Sequence, residues 1–283
     1  MEYLSLKNGV KMPLVGYGVA DIRDEARCGA LLAEALAAGY RMIDTAAAYE
    51  NEKAVGNAVK KSGIPREELF LTTKIWIQDY GYEKAKRAFQ KSLERLGTDY
   101  IDLYLIHQPI GDIHETWRAV EEMYRKGYAR AVGVSNFEMG KVAEVSVFHS
   151  QMPYVNQIEM NLLCQQKELL QYLKENGIAA EAWGVFARGT MGILEEPVIR
   201  KLGRKHKKTP AQIILRWMTQ REVPVLIQSE NGVHMRENLD IFDFRLEEEE
   251  LEQIAELDLE RSVYLNYSLP ETVARLGTAR FNT

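Results

Sequence analysis

Eight short apolar runs recur along the 283 residues, and the segments between them carry apolar positions at helical spacing. The runs are Leu14 to Val19, Arg41 to Ile43, Leu69 to Thr73, Ile101 to Ile106, Ala129 to Val134 and Tyr154 to Ile158, then two weaker ones, Ile178 to Trp183 and Val223 to Ile227. The helical segments are Glu25 to Ala38, Glu83 to Leu96, His114 to Gly127, Met139 to Phe148, Gln166 to Asn176, Pro197 to His206 and Ala211 to Gln220. Gly39, Gly97, Gly127 and Gly177 each follow such a segment, where a left-handed residue closes a helix. Thr209-Pro210 reads as an N-cap followed by a first-turn proline, and Glu247 to Glu250 as the acidic first turn of another helix. Strand and helix in alternation, with no shift of composition along the chain, predict one parallel (β/α)8 TIM barrel spanning 1–283, a fold that takes about 250 residues. No Gly-x-Gly-x-x-Gly follows the first run, which argues against a doubly wound dinucleotide fold. Ahead of the repeat, Lys7-Asn8-Gly9 joins two extended runs, predicting a β-hairpin at the bottom of the barrel.

Hydrophobic residues make up 46% and charged residues 27% of the chain, an ordinary globular mix. A net charge of -5 argues against a nucleic-acid partner but leaves room for an anionic cofactor in a locally basic pocket. Lys201 to Lys208 is basic and reads as a solvated helix end. No apolar stretch reaches about 18 residues, so no membrane span is expected. Residues 1–5 lack the basic and apolar regions of a signal peptide. Cys28 and Cys164 read as buried, inert thiols rather than a disulfide, and with the N-terminus they predict a cytoplasmic protein. His114, His149 and His206 have no metal-ligand spacing, so no metal is expected.

Against this frame four polar residues stand out. Asp44 follows the second run, Lys74 the third and His107 the fourth, with Tyr49 five residues beyond Asp44. The 30- and 33-residue intervals from Asp44 to Lys74 and on to His107 match one βα unit each, so all reach the same rim, where barrel enzymes place their chemistry. An acid, a phenol, an amine and an imidazole together form a proton-donating site.

The motifs around them resemble those of the aldo-keto reductases: Met42-Ile43-Asp44-Thr45-Ala46 with Tyr49-Glu50-Asn51-Glu52, Thr72-Thr73-Lys74-Ile75-Trp76, Leu105-Ile106-His107-Gln108-Pro109, Gly133-Val134-Ser135-Asn136-Phe137 and Val155-Asn156-Gln157-Ile158-Glu159. The similarity runs from about residue 3 to about residue 260. Glu181-Ala182-Trp183-Gly184 and the chain length resemble the small prokaryotic reductases of the 2,5-diketo-gluconate type. The resemblance implies NAD(P)H-dependent reduction of an aldehyde or ketone, with Tyr49 as proton donor. Lys74 is expected to lower the phenol's pKa from about 10, Asp44 to hold Lys74, and His107 to orient the carbonyl.

The resemblance also implies a cofactor cleft. Ser135, Asn136 and Gln157 would hold the nicotinamide carboxamide, and Trp183 would stack on the ring. The segment from Ile227 to Asn238 resembles the adenosine-phosphate site, with Glu237 and Asn238 as an adenine pair. Here Gln228 stands for a lysine, His234 for an arginine, and Glu230 is added beside Ser229. A 2′-phosphate wants cations, whereas a carboxylate suits a ribose hydroxyl, so NAD(H) as well as NADP(H) is expected, with Arg236 able to restore a cation. Trp76, His107 and Gln108 are expected at the substrate, a small carbonyl compound. The tail from Arg261 to Thr283, with Tyr264, Tyr267 and Phe281, would cover the pocket or dock as structure. A monomer is implied. Two other readings stay open: Lys74 as a Schiff-base nucleophile, and a cofactor-binding regulatory subunit with little turnover.

Overall fold

A computed structural model describes residues 2–189 and 191–283. A hairpin of strands β1 (Tyr3–Ser5) and β2 (Lys11–Pro13) precedes the barrel, paired antiparallel with Leu4 opposite Met12. Strands β3 (Val15–Gly18), β4 (Met42–Asp44), β5 (Phe70–Ile75), β6 (Ile101–Ile106), β7 (Ala129–Ser135), β8 (Val155–Glu159), β9 (Ala179–Trp183) and β10 (Val225–Ile227) then close on themselves, β10 returning to β3 with Leu226 opposite Gly16. The eight runs read from the sequence are these eight strands, each within two residues of the expected ends.

Helices α1 (Glu25–Ala38), α2 (Glu52–Ser62), α3 (Tyr82–Leu96), α4 (Ile113–Arg125), α5 (Met139–Phe148), α6 (Lys167–Glu175), α7 (Pro197–His206) and α8 (Pro210–Thr219) lie between strands. Helices α9 (Gly232–Leu239), α10 (Glu248–Ala255) and α11 (Pro270–Thr278) follow the last strand. Gly39 and Gly97 are left-handed caps, and Thr209 forms a capping box with Gln212. Three helices, α2, α9 and α11, were absent from the sequence reading. Helix α2 buries only Ala54, Val55, Gly56 and Ala58 of its apolar face, too small a stripe to stand out. It packs by close approach instead: a Cβ on Gly56 would fall 2.4 Å from the carbonyl oxygen of Leu96.

Side chains alternate across each strand, and this places the site. Ile43, Leu71, Tyr104, Val132 and Ala182 join the core beneath the helices. Met42, Phe70, Leu103, Leu105, Ala131, Val155 and Leu226 form a separate cluster with Leu6 and Met12 of the hairpin. That cluster is the filled lower barrel, and the hairpin plugs it as expected. Burying Leu6 and Met12 contributes roughly 1.5–3 kcal/mol each. Space inside is tight, since a Cβ on Gly133 would sit 2.3 Å from the oxygen of Val155 and 2.8 Å from Leu105. Two residues above Met42, Phe70 (by two steps), Leu105 and Val155, the same inward rows deliver Asp44, Lys74, His107 and Gln157 to the rim.

Candidate active site

Lys74 is wholly buried, and its ammonium donates to Asp44 Oδ1 at 2.5 Å, to the carbonyl of Thr45 at 3.1 Å and to the Tyr49 hydroxyl at 3.4 Å. Burial pulls its pKa down, but Asp44 and Tyr49 more than offset that, so Lys74 stays charged with a pKa above its ordinary value. Tyr49 ends a short 3-10 turn, Ala47–Tyr49, and keeps part of its surface open. Behind it Asn51 is buried; its Nδ2 donates to the carbonyls of Val19 and Ile22, and its Oδ1 accepts from Thr45. Glu52, also buried, accepts from Thr73 and Arg95. These two residues fasten the turn that aims Tyr49.

The expected lowering of the phenol's pKa is corrected by the surroundings. Burial raises it, Asp44 adds to the rise, and Lys74 only opposes them, so the net direction is upward. Tyr49 is therefore a neutral phenol carrying its proton. His107 packs edge-on to Tyr49 and to Trp76, with centroids 5.6 and 5.1 Å apart. Burial, then Lys74, pushes its pKa well below the ordinary histidine value, leaving a neutral ring whose Nδ1 is buried without a hydrogen bond among the described residues.

The neighbouring polar residues are locked to one another. Ser135 donates to the carbonyl of Gln157, and Asn136 Nδ2 donates to the carbonyl of His107 and to Ser135. Trp183 donates its indole N–H to Asn136 Oδ1 at 3.0 Å, which fixes the ring plane. Gln157 Nε2 donates to Asp44 at 2.9 Å and to Glu181 at 2.8 Å.

A cavity of about 670 Å³ opens over these groups. Asp44, Tyr49, His107, Gln108, Ser135, Asn136, Gln157 and Trp183 line it at one end, and Gln228, Ser229 and Glu230 at the other. Exposed His234 and Arg236 lie outside its lining. Glu237 faces a different cavity, with Arg200 and Lys208. Asn238 is buried beside the Tyr40 hydroxyl, which donates to the carbonyl of Met235 at 3.2 Å. Trp76 also lies off the cavity, donating to the carbonyl of Ala279 and packed against Phe281. The tail is docked: Phe281 and Thr283 bond to Gln78, Tyr267 donates to Gln108 Oε1 at 2.5 Å, and Ser262 and Val263 donate to Glu159. Tyr264 and Leu265 complete the cavity wall.

The model of the aldo/keto reductase family matches residues 21–259. The chain belongs to the aldo/keto reductase family. It is 44% identical to the glyoxal reductase of Bacillus subtilis strain 168, covering 93% of this chain and 95% of that one. It is 40% identical to a methylglyoxal reductase of Escherichia coli K12, over 90% and 93% of the two chains. Among solved structures, an aldo-keto reductase of Bombyx mori in complex with NADP superposes with a TM-score of 0.88 at 32% identity, over 94% and 95%. This chain is an NAD(P)-dependent carbonyl reductase.

Two residues of the reductase were not singled out from sequence. Arg27, on α1, pairs with Glu230 at 2.6 Å although 203 positions separate them, which no local pattern reveals. Glu181 was legible, because it is the lone carboxylate in Ala179-Ala180-Glu181-Ala182-Trp183 and shares the inward side with Trp183. Cys28 and Cys164 are free and buried, and burial pushes their thiols up to about 11 and about 12. Among the described residues no helix is long and apolar enough to cross a membrane.

Proposed function

We propose that Tyr49 gives the proton to the substrate oxygen, with Lys74, Asp44 and His107 arranged to make that transfer favourable. The observation that carries this reading is the 3.4 Å approach of a charged, buried Lys74 to the Tyr49 hydroxyl. A nicotinamide cofactor, when bound, supplies the hydride to the carbonyl carbon. The cavity suits it: Trp183 offers a ring held in plane, and Ser135, Asn136 and Gln157 offer amide-matching donors and acceptors beside Tyr49. Tyr49 holds its proton until negative charge grows on the carbonyl oxygen. Lys74 then stabilises the phenolate, and Asp44 keeps the ammonium in place. With Nδ1 sealed, His107 serves as a neutral Nε2–H donor to the same oxygen. Tyr49→Phe with no loss of turnover would refute this assignment.

NADH is accepted alongside NADPH in this reading. Gln228 carries no charge, His234 stands off the cavity, and Glu230 presents a carboxylate with Arg27 already paired to it. A 2′-phosphate would have to draw Arg27 from Glu230 while facing that carboxylate; a ribose hydroxyl bonds it directly. Glu237 lines a different cavity and Asn238 is buried beside Tyr40, so neither side chain lines the cleft. Titration of the protein with NADH and NADPH, followed by tryptophan fluorescence, tests this; NADPH tighter by tenfold or more, about 1.4 kcal/mol, would overturn it.

The substrate is a small aldehyde or ketone with a second oxygen near the carbonyl. Tyr80 clamps the backbone of Gln108, and Tyr267 takes its Oε1, so its Nε2 is left to a ligand oxygen. The relatives named for glyoxal and methylglyoxal fit that chemistry. Trp76 shapes this end from behind His107. A Schiff base on Lys74 is disfavoured, since a fully buried ammonium paired at 2.5 Å is no free amine. We read residues 1–283 as one barrel domain, with 261–283 covering the pocket, acting as a cytoplasmic monomer on small molecules without nucleic-acid partners.

A further inference from the structure

Glu181 is fully buried in the barrel, yet the mechanism above gives it no part. Its Oε2 accepts from Gln157 Nε2, which also holds Asp44 Oδ2, while its Oε1 makes no hydrogen bond among the described residues. On its own strand Ala179 and Trp183 share its side. The adjoining strands offer Val155, Gln157 and Leu226, and charge reaches it only from Asp44 on β4 and Lys74 on β5. Glu159, the other carboxylate nearby, is bonded to Ser262, Val263 and Asn161. Among the described residues the barrel centre thus holds one ammonium and two carboxyl groups, with no further cation.

We propose that Glu181 is a positioning residue for proton transfer: as a neutral acid it holds Asp44 through Gln157 and leaves the full charge of Lys74 available to the Tyr49 phenolate. The proposal rests on the assignment of Tyr49, Lys74 and Asp44 above. One ammonium balances one carboxylate, so an ionised Glu181 gives the cluster an excess negative charge. The phenolate formed when Tyr49 releases its proton would then be a second excess charge in a site without water-like screening. Burial, then Asp44, raises the Glu181 carboxyl to about 8, which keeps it protonated near neutrality. Glu181 does not itself give up a proton in the cycle. The proton goes from Tyr49 to the carbonyl oxygen as hydride reaches the carbon, and solvent reprotonates Tyr49 afterwards.

The test is the pH profile of kcat in the reducing direction, comparing wild-type holoenzyme with Glu181→Gln, each scaled to its own plateau. Wild type is expected to lose rate above a pH of about 8, and Glu181→Gln to carry that fall at least about one unit higher, because its amide cannot ionise. An unchanged alkaline limb overturns the proposal. A second measurement needs no variant: the infrared band of a buried protonated carboxylic acid is expected in wild type near pH 6 and lost on titration to pH 10. Absence of that band at the lower pH also overturns the proposal. Turnover retained by Tyr49→Phe would refute the donor assignment itself, a failure distinct from an unmoved alkaline limb.

Discussion

Removing Asp44 should be less damaging than its burial suggests, because Glu181 stands ready to replace it. Lys74 is wholly buried, and leaving such a charge uncompensated costs roughly 3–5 kcal/mol. In Asp44→Asn, however, the charge that helps hold a proton on Glu181 is gone. Glu181 then ionises and serves as counter-ion to Lys74, so the single change should cost only about 1–2 kcal/mol at pH 7. Glu181→Gln alone keeps the bond to Gln157 and removes an acid that ionises on unfolding, so it should cost nothing at pH 7. With both substituted no carboxylate remains, and the full loss of roughly 3–5 kcal/mol returns. The two sites should therefore couple by about 2 kcal/mol, within the range for residues sharing one network. Urea denaturation of the four proteins at pH 7 measures this, backed by thermal melts in which about 1 kcal/mol shifts Tm by roughly 2–4 °C. Costs that add to within about 0.5 kcal/mol would refute the idea that both carboxylates address one ammonium.

The same acid sets a pH dependence of stability. The folded pKa of Glu181 is raised from 4.5 to about 8, so its contribution is fully present below 4.5 and lost as pH rises to about 8. Glu181→Gln should accordingly gain on wild type across that window, by up to about 1.4 kcal/mol per unit, and denaturation midpoints at three pH values show whether it does. Glu230→Lys places a second cation beside Arg27 and should shift the ratio of NADPH to NADH affinity at least about tenfold toward NADPH, read by the paired titrations. The wild-type Arg27–Glu230 pair is half-exposed, so breaking it should alter stability by under about 1 kcal/mol. Gln108→Leu should raise KM for methylglyoxal more than for a simple aldehyde of similar size; equal effects would remove Gln108 from substrate recognition. Asp102 is buried, accepting from the Leu71 N–H and paired with Arg66 and Arg130; Asp102→Ala should cost roughly 3–5 kcal/mol in denaturant titration without changing cofactor affinity.

Much of this protein follows from one-dimensional order. Strand runs alternating with helical stripes dictate the barrel, because parallel strands need a crossover helix between them. The step of two along a strand then dictates that Asp44, Lys74, His107, Gln157 and Trp183 face inward at the same end. Helix α2 escaped notice because it packs through Gly56 and alanines rather than a bulky stripe. What only tertiary structure decided is the charge state of the site and the use of its polar groups. Burial overrides Lys74 in setting the Tyr49 pKa, and it keeps His107 neutral and raises Glu181, because the cost of desolvation depends on what surrounds a group rather than on its neighbours in sequence. Contacts such as Arg27 with Glu230, Tyr267 with Gln108, and Gln157 between two carboxylates join residues far apart in the chain. They exist because closing the barrel brings its ends together, and the residue pattern along any one segment carries no trace of them.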